Sequence, residues 1–206
     1  MTDPQLSQRE PLALLGAERS QFRGRLQTLD SIINLHARHV AEPKARRIFD
    51  DLRRRLEIQA QIYAVVDAAP GDMVPLPVFF AGIAPLLERS LGFSDSRGLK
   101  LDIQDFSLPR GRCVLLAQLA AEVLTPIPHA AETRGAVSLT LSPLPAGRAA
   151  LTLSAEGWPG PPGGAEPADA LRRVMIASLA EGLGGRLEFT APPAGGIFLD
   201  FPLHEG

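Results

Sequence analysis

The sequence predicts an α+β protein in two parts, an N-terminal antiparallel helical hairpin and then an α/β sandwich. Apolar residues recur at steps of three and four from Leu12 to Val40, and a second helical period runs from Ile48 to Val66. Beyond residue 70 the pattern changes to short alternating runs, Leu99–Ile103, Val137–Leu141 and Ala149–Leu153, interleaved with helical stretches. With 206 residues, 45% of them hydrophobic, the chain has enough apolar surface for one medium core or two small ones.

The first helix carries Leu12, Leu15, Phe22, Leu26, Leu29, Ile33 and Val40, with Arg19 and His36 filling the two gaps of a heptad seam. It stops at Ala41-Glu42-Pro43, because Pro43 disfavours helix in the preceding residue and suits the first turn of the next helix. The second helix, with Ile48, Leu52, Leu56, Ile62 and Val66, ends before Ala69-Pro70-Gly71. A hairpin with so wide an apolar face leaves on the order of 10–20 kcal/mol of burial unclaimed. A four-helix bundle made by two chains claims it, with Leu15, Phe22, Leu26, Leu29, Ile33 and His36 in the dimer core. The alternative is a hairpin packed on its own C-terminal half. The limits read this way are 1–70 for the hairpin and 71–206 for the sandwich.

In the second part, Val74–Leu91 is an amphipathic helix with Pro75 and Pro77 near its start. Leu99–Ile103 is a strand. Cys113–Leu124 is a nearly all-apolar helix stopped by Pro126 and Pro128. Val137–Leu141 and Ala149–Leu153 form strands around a turn at Pro143–Gly147, and Gly157–Gly164 is a Pro/Gly-rich loop. Ala168–Leu183 is a helix closed by Gly184-Gly185. Arg186–Thr190 and Ile197–Phe201 are a final strand pair around Ala194-Gly195-Gly196. One mixed sheet with helices on one face is the expected arrangement.

Bulk properties exclude several classes. The net charge is −2, with 21% charged residues, so a strongly basic nucleic-acid binder is excluded. No run of about 18 apolar residues free of charge or proline occurs, so no membrane span is expected. Residues 1–10 have no basic flank and no apolar h-region, so a secretory signal is not expected and the cytoplasm is the expected compartment. The single Cys113 makes neither an intrachain disulfide nor a multi-cysteine zinc site, and His129 and His204 stand isolated, so no metal set emerges. No cofactor is expected.

The stretch Leu26-Gln27-Thr28-Leu29-Asp30-Ser31-Ile32-Ile33-Asn34-Leu35-His36-Ala37-Arg38 resembles the first helix of the dimerisation and phosphotransfer hairpin of sensor histidine kinases, closest to the subgroup 2 and HWE-related class. Glu42-Pro43-Lys44-Ala45-Arg46 resembles the family's interhelix turn, and Arg53-Arg54-Arg55-Leu56 the start of its second helix. Leu183-Gly184-Gly185-Arg186-Leu187-Glu188 resembles the last helix-to-strand turn of its ATPase-like domain. The architecture is also similar to that of stand-alone bacterial histidine phosphotransferases. The resemblance implies two-component signalling, a homodimer, and a response-regulator receiver domain or a histidine kinase as partner.

The departures bear on mechanism. The family's phospho-accepting His falls at Ser20, whose hydroxyl cannot form a phosphohistidine, and its Asn pair reads Gly24-Arg25. The magnesium-binding Asn reads Glu122, a carboxylate that still suits a hard cation. The adenine-binding Asp-x-Gly-x-Gly loop reads Ala155-Glu156-Gly157-Trp158-Pro159, and the Gly-x-Gly helix start reads Leu171-Arg172-Arg173. Two or three lost hydrogen bonds to charged groups sum to roughly 3–9 kcal/mol, while millimolar affinity is only about 4 kcal/mol. The implied protein is a pseudokinase adaptor. A histidine phosphotransferase, a regulator phosphatase or an ATP-dependent kinase with unusual motifs are the enzymatic alternatives.

Arg19, Ser20, Arg23, Arg25 and Gln27 form the candidate partner-docking face, and Gln27 (like Gln21) can orient a water for hydrolysis of a regulator's aspartyl phosphate. The bland reading of that cluster is a solvated helix face. His36 is either an unorthodox phosphoacceptor or a packed bundle histidine, and His39 is a solvated helix-end residue. Glu122, Ala155, Gly157, Trp158 and Arg172 mark the degenerate nucleotide site. Trp158 fills the vacated pocket, forms an interface anchor, or packs in the core.

Overall fold

The computed structural model describes residues 24, 28–93, 98–125, 134–158, 167–190 and 194–204. The chain divides into two compact units, one ending at Tyr63 and the other beginning at Ala64.

In the first unit, helix α1 covers residues 28–37 and helix α2 begins at Pro43 and runs to Ala68. The turn after α1 is closed by His39 N–H donating to the His36 carbonyl at 3.0 Å. Pro43 takes the first helical position, where its missing N–H costs nothing, and Arg46 N–H donates to the Glu42 carbonyl at 3.0 Å as the first bond of α2. Arg53 Nε lies 3.7 Å from Asp30 Oδ1, and Asp51 accepts from Arg55 Nε at 2.9 Å on the same helix. Asp30, Ile33 and Asn34 are half-buried and Ala37 is buried, whereas Leu29, Ile32, Leu35, Ile48 and Leu52 are exposed.

The second unit starts within the last turns of α2. Strand β1 (Met73–Pro75) leads into helix α3 (Leu76–Leu91), β2 (Leu99–Ile103), β3 (Ser107–Pro109) and helix α4 (Arg110–Leu124). Then follow β4 (Arg134–Leu144), β5 (Arg148–Glu156), helix α5 (Pro167–Gly182), β6 (Arg186–Thr190) and β7 (Ala194–Pro202). The main sheet has the order β2-β4-β5-β7-β6, with β2 parallel to β4 and the other pairs antiparallel. A two-stranded ribbon pairs β1 with β3, Val74 opposite Leu108.

The register explains the core. Leu139 lies opposite Leu153, Leu153 opposite Ile197, and Leu151 opposite both Leu141 and Leu199. All these side chains, with Val137, Ala149, Ala155 and Phe201, are buried on one face. The other face carries the half-buried Ser138, Thr140, Ser142, Thr152 and Ser154. Helix α4 is buried almost all round, as its apolar composition dictates, with Cys113, Leu116, Ala117, Leu119, Ala120 and Leu124 fully enclosed.

Several element limits differ from the sequence reading. Helix α3 begins at Leu76, because Met73–Pro75 pair with β3 before the helix starts. Helix α4 begins at Arg110, one turn before the apolar run. Strand β4 continues to Leu144, so the turn is confined to Pro145-Ala146-Gly147, with Ala146 and Gly147 at φ 60° and 69°. Ala194-Gly195-Gly196 belong to strand β7 and not to a turn. A β-carbon at Gly196 would overlap the Leu153 carbonyl, so glycine there permits close strand approach. Of the Gly157–Gly164 loop, only Gly157 and Trp158 lie within the described residues.

Candidate functional site

Helices α4 and α5 run antiparallel. Arg112, near the start of α4, reaches the Leu183 carbonyl just past α5, and Gly182 lies against Leu115. Glu122 is ten residues further along α4, about 15 Å, and Arg172 is a similar distance back along α5. Both therefore lie at the same end of the sandwich. The strands agree: the end of β5 pairs with the start of β7, Ala155 opposite Gly195, at the far end from the Arg112 contacts. Trp158 sits against Gly195, so it shares that end. The topology thus gathers Glu122, Ala155, Gly157, Trp158 and Arg172 at one end of the second unit. Residues 126–133, 159–166 and 191–193 lie outside the described residues.

The chemistry of these positions is specific. Ala155 is a buried methyl at the end of β5 and offers no acceptor. Gly157 takes φ 69°, a left-handed conformation that turns the chain off the strand. Trp158 is then only 5% exposed. A β-carbon on Gly195 would lie 2.9 Å from Trp158 Cβ and 3.3 Å from Cγ, so the absence of a side chain at Gly195 seats the indole. Arg172 is buried on the inward stripe of α5 with Ile176, Ala180 and Leu183, and its Nη1 donates to Asp169 Oδ1 at 2.9 Å. Glu122 is buried on α4. Among the described residues, no cluster of three or more His, Cys, Asp or Glu side chains has the geometry to hold a metal ion.

The opposite end is fastened by arginines that the sequence reading passed over. Arg112, 4% exposed, donates from Nη2 to the Leu183 carbonyl at 2.7 Å and to the Pro202 carbonyl at 2.5 Å, and its guanidinium lies 5.9 Å from the Phe201 ring centroid. Arg110 donates from Nε to Gly71 O at 2.6 Å, from Nη1 to Val66 O at 2.5 Å and from Nη2 to Ala69 O at 2.5 Å. With all three of its nitrogens it gathers carbonyls at and just beyond the C-terminus of α2. The signal was the Arg110-Gly111-Arg112 triplet directly before an apolar run, a place where solvated charge is the ordinary reading.

In the first unit, Leu29 and His36 of the expected dimer core are exposed, and Ile33 is half-buried. His39 is exposed in the turn that follows α1. Leu15, Arg19, Ser20, Phe22, Arg23, Arg25, Leu26 and Gln27 lie outside the described residues, and with them the whole candidate docking face.

No protein-family model and no curated protein matches the sequence. Solved structures do. The chain is 22% identical to a blue-light activated histidine kinase, EL346 of Erythrobacter litoralis, at a TM-score of 0.67, covering 91% of this chain and 59% of that longer one. Against the isolated histidine kinase domain of the same protein, the TM-score is 0.60 at 20% identity, covering 87% of this chain and 94% of that domain. The Acinetobacter baumannii histidine kinase AdeS matches at a TM-score of 0.52 and 14% identity, over 97% of this chain and 98% of the other. No helix among the described residues is long and apolar enough to cross a membrane. At these identities the likeness is one of architecture: the chain has a histidine-kinase-like fold.

Proposed function

We propose that this chain is a degenerate histidine-kinase-like protein of two-component signalling, of the HWE-related kind. It acts as a homodimeric adaptor that docks a response-regulator receiver domain or a kinase without using ATP. The observation that carries the reading is the end of β5. There a buried Ala155 stands where a histidine kinase needs a carboxylate to hold adenine, and the next buried side chain is the Trp158 indole seated over Gly195. Buried Arg172, already engaged with Asp169, replaces a glycine of the family's phosphate-side helix start. A site with these three changes lacks the acceptor and the backbone approach that nucleotide recognition uses.

The exposed Leu29, Ile32, Leu35, Ile48 and Leu52 support the dimer, because five wet apolar side chains on two helices match the burial that a second hairpin would supply. Receiver docking rests on the Arg19, Arg23 and Arg25 cluster around Ser20.

The test is incubation of the purified chain with γ-labelled ATP and magnesium, alongside a thermal scan at millimolar ATP. The expected result is no label on the chain and no shift in melting temperature. An acid-labile, base-stable label on the chain would overturn the reading. Titration with receiver domains then tests the adaptor role, with loss of binding in Arg23→Glu as the expected outcome.

A further inference from the structure

The two edges of the main sheet are treated differently. On the β2 edge, the Leu99 N–H donates to Glu88 Oε1 at 2.6 Å, and an exposed lysine, Lys100, follows. A side chain and a charge blunt that edge. Strand β6 forms the other edge and pairs only with β7 among the described residues. It contains no proline, and its two exposed charges, Arg186 and Glu188, are opposite in sign. Beside it an open groove of about 630 Å³ runs between α5 and β6, floored by Gly184 and Gly185 and walled by Ala177, Ala180, Leu187 and Phe189. Phe189 is 41% exposed at the rim. Such an edge has outward N–H and C=O groups to offer and an apolar slot for alternate side chains, the two parts of strand addition.

We propose that a second copy of this chain occupies that edge, β6 pairing antiparallel with its counterpart about a two-fold axis through Leu187. The edge is self-complementary. In this register Arg186 of one copy faces Glu188 of the other, twice over. Leu187 faces itself on the α5 side, and Phe189 faces the bare Gly185 of the partner copy. A side chain at Gly185 is disfavoured, because a β-carbon there would lie 2.7 Å from Leu199 Cδ1 and 3.0 Å from the Asp200 carbonyl, so Leu199 would have to shift. The slot over Gly184 and Gly185 therefore remains for the partner's phenyl ring. Arg186 Nε and Glu188 Oε1 lie 3.1 Å apart within one chain on the solvated face, free to exchange for intermolecular pairs. The neighbouring register, centred on Glu188, sets Glu188 against itself and loses both charge pairs. A five-residue pairing is small by the standard of stable interfaces, so the contact is one of modest affinity. It rests on no residue of α1 or α2 and stands whether or not those helices dimerise.

Directly opposed residues of an antiparallel pair have β-carbons about 4.5–5.5 Å apart, close enough for a cysteine pair to be trapped. The full-length chain with Leu187→Cys is treated with a mild thiol oxidant and the covalent dimer is followed with time. The only native thiol, Cys113, is buried, and the unsubstituted chain is the control. The expected result is a disulfide dimer for Leu187→Cys, forming at least ten-fold faster than for Glu188→Cys. Adding Arg186→Glu should slow trapping about ten-fold, and the double exchange Arg186→Glu with Glu188→Arg should restore it. Arg186 and Glu188 are exposed, so far-UV circular dichroism should be unchanged in each variant. The proposal is overturned if Leu187→Cys remains monomeric under oxidation, if Glu188→Cys is trapped faster, or if Arg186→Glu leaves the rate unaltered.

Discussion

The guanidinium of Arg112 donates to the main-chain carbonyl of Leu183 across 2.7 Å, within a site only 4% exposed to solvent. The same Nη2 reaches the Pro202 carbonyl, so one cation at the start of α4 holds the end of α5 and the end of β7 together. Truncation to Arg112→Ala leaves one buried and one half-buried carbonyl without this donor and removes a packed stem. Hydrogen bonds to charged groups contribute about 1.5–3 kcal/mol each, so a loss of at least about 3 kcal/mol is expected in urea unfolding. Arg112→Met keeps the stem and should recover part of that loss. An equal loss in both variants would mean that packing has no share in the role of Arg112, and a loss below 1 kcal/mol in Arg112→Ala would refute the clamp.

Arg110 makes a comparable contact at the C-terminus of α2. Its three nitrogens reach the carbonyls of Val66, Ala69 and Gly71 at and just beyond the end of α2, Val66 also accepting from the Ala69 N–H at 3.3 Å. Lysine carries one point charge and cannot span three carbonyls. Arg110→Lys should therefore resemble Arg110→Ala, each costing about 1–3 kcal/mol. Hydrogen exchange should accelerate at the last amides of α2 well before the rest of the unit. Uniform acceleration across all helices would contradict a local cap.

Much of this fold is legible in the sequence. The limits of β2 follow from alternation, those of β6 from its place after Gly184-Gly185 in a final strand pair, and Pro43 marks the first residue of α2. What stays hidden is decided by tertiary contact. Arg110 and Arg112 look like solvated punctuation before an apolar helix, and only the approach of carbonyls from residues 66–71 and 183–202 makes them structural. Gly195 and Gly196 look like a turn because glycine pairs usually punctuate. They are strand residues chosen for closeness, one to Trp158 and one to the Leu153 carbonyl. At the candidate site, the family resemblance alone sets Ala155 where a carboxylate is expected, but that Trp158 is enclosed there depends on a glycine some forty residues away in β7.

Those two glycines should therefore differ in their response to alanine. In Gly196→Ala the new methyl meets backbone, the Leu153 carbonyl, which cannot move without breaking the β5–β7 ladder. A cost of about 3 kcal/mol or more is expected. In Gly195→Ala the methyl meets Trp158 Cβ and Cγ at 2.9 and 3.3 Å, so Trp158 must move with its own backbone, which lies past the end of β5 and outside the ladder. The smaller cost should come with a red-shifted emission, since Trp158 is the chain's single tryptophan. Unchanged emission in Gly195→Ala would show that the indole does not rest on that residue.

Cys113 makes stability depend on alkaline pH. The thiol is fully buried on α4, and burial pushes its pKa from 9.0 up to about 12, with the nearby Arg110 charge opposing. Its Sγ donates to the Leu108 carbonyl at 3.7 Å, a bond that only the protonated form makes. Below pH 9 folded and unfolded chains both hold the proton, so the group contributes no pH dependence. Above pH 9 the unfolded chain loses the proton while the folded chain keeps it, so the unfolded state gains stability. Folding free energy should fall by about 1.4 kcal/mol for each pH unit between 9 and 12 on account of this residue. The comparison is Cys113→Ala, in which every other titrating group is retained and cancels. Its stability relative to the native sequence should be constant from pH 7 to 8 and should improve by about 1–1.5 kcal/mol by pH 10. Parallel pH profiles for the two proteins would show that the thiol ionises in the folded chain as readily as in the unfolded one, and would place Cys113 in contact with water.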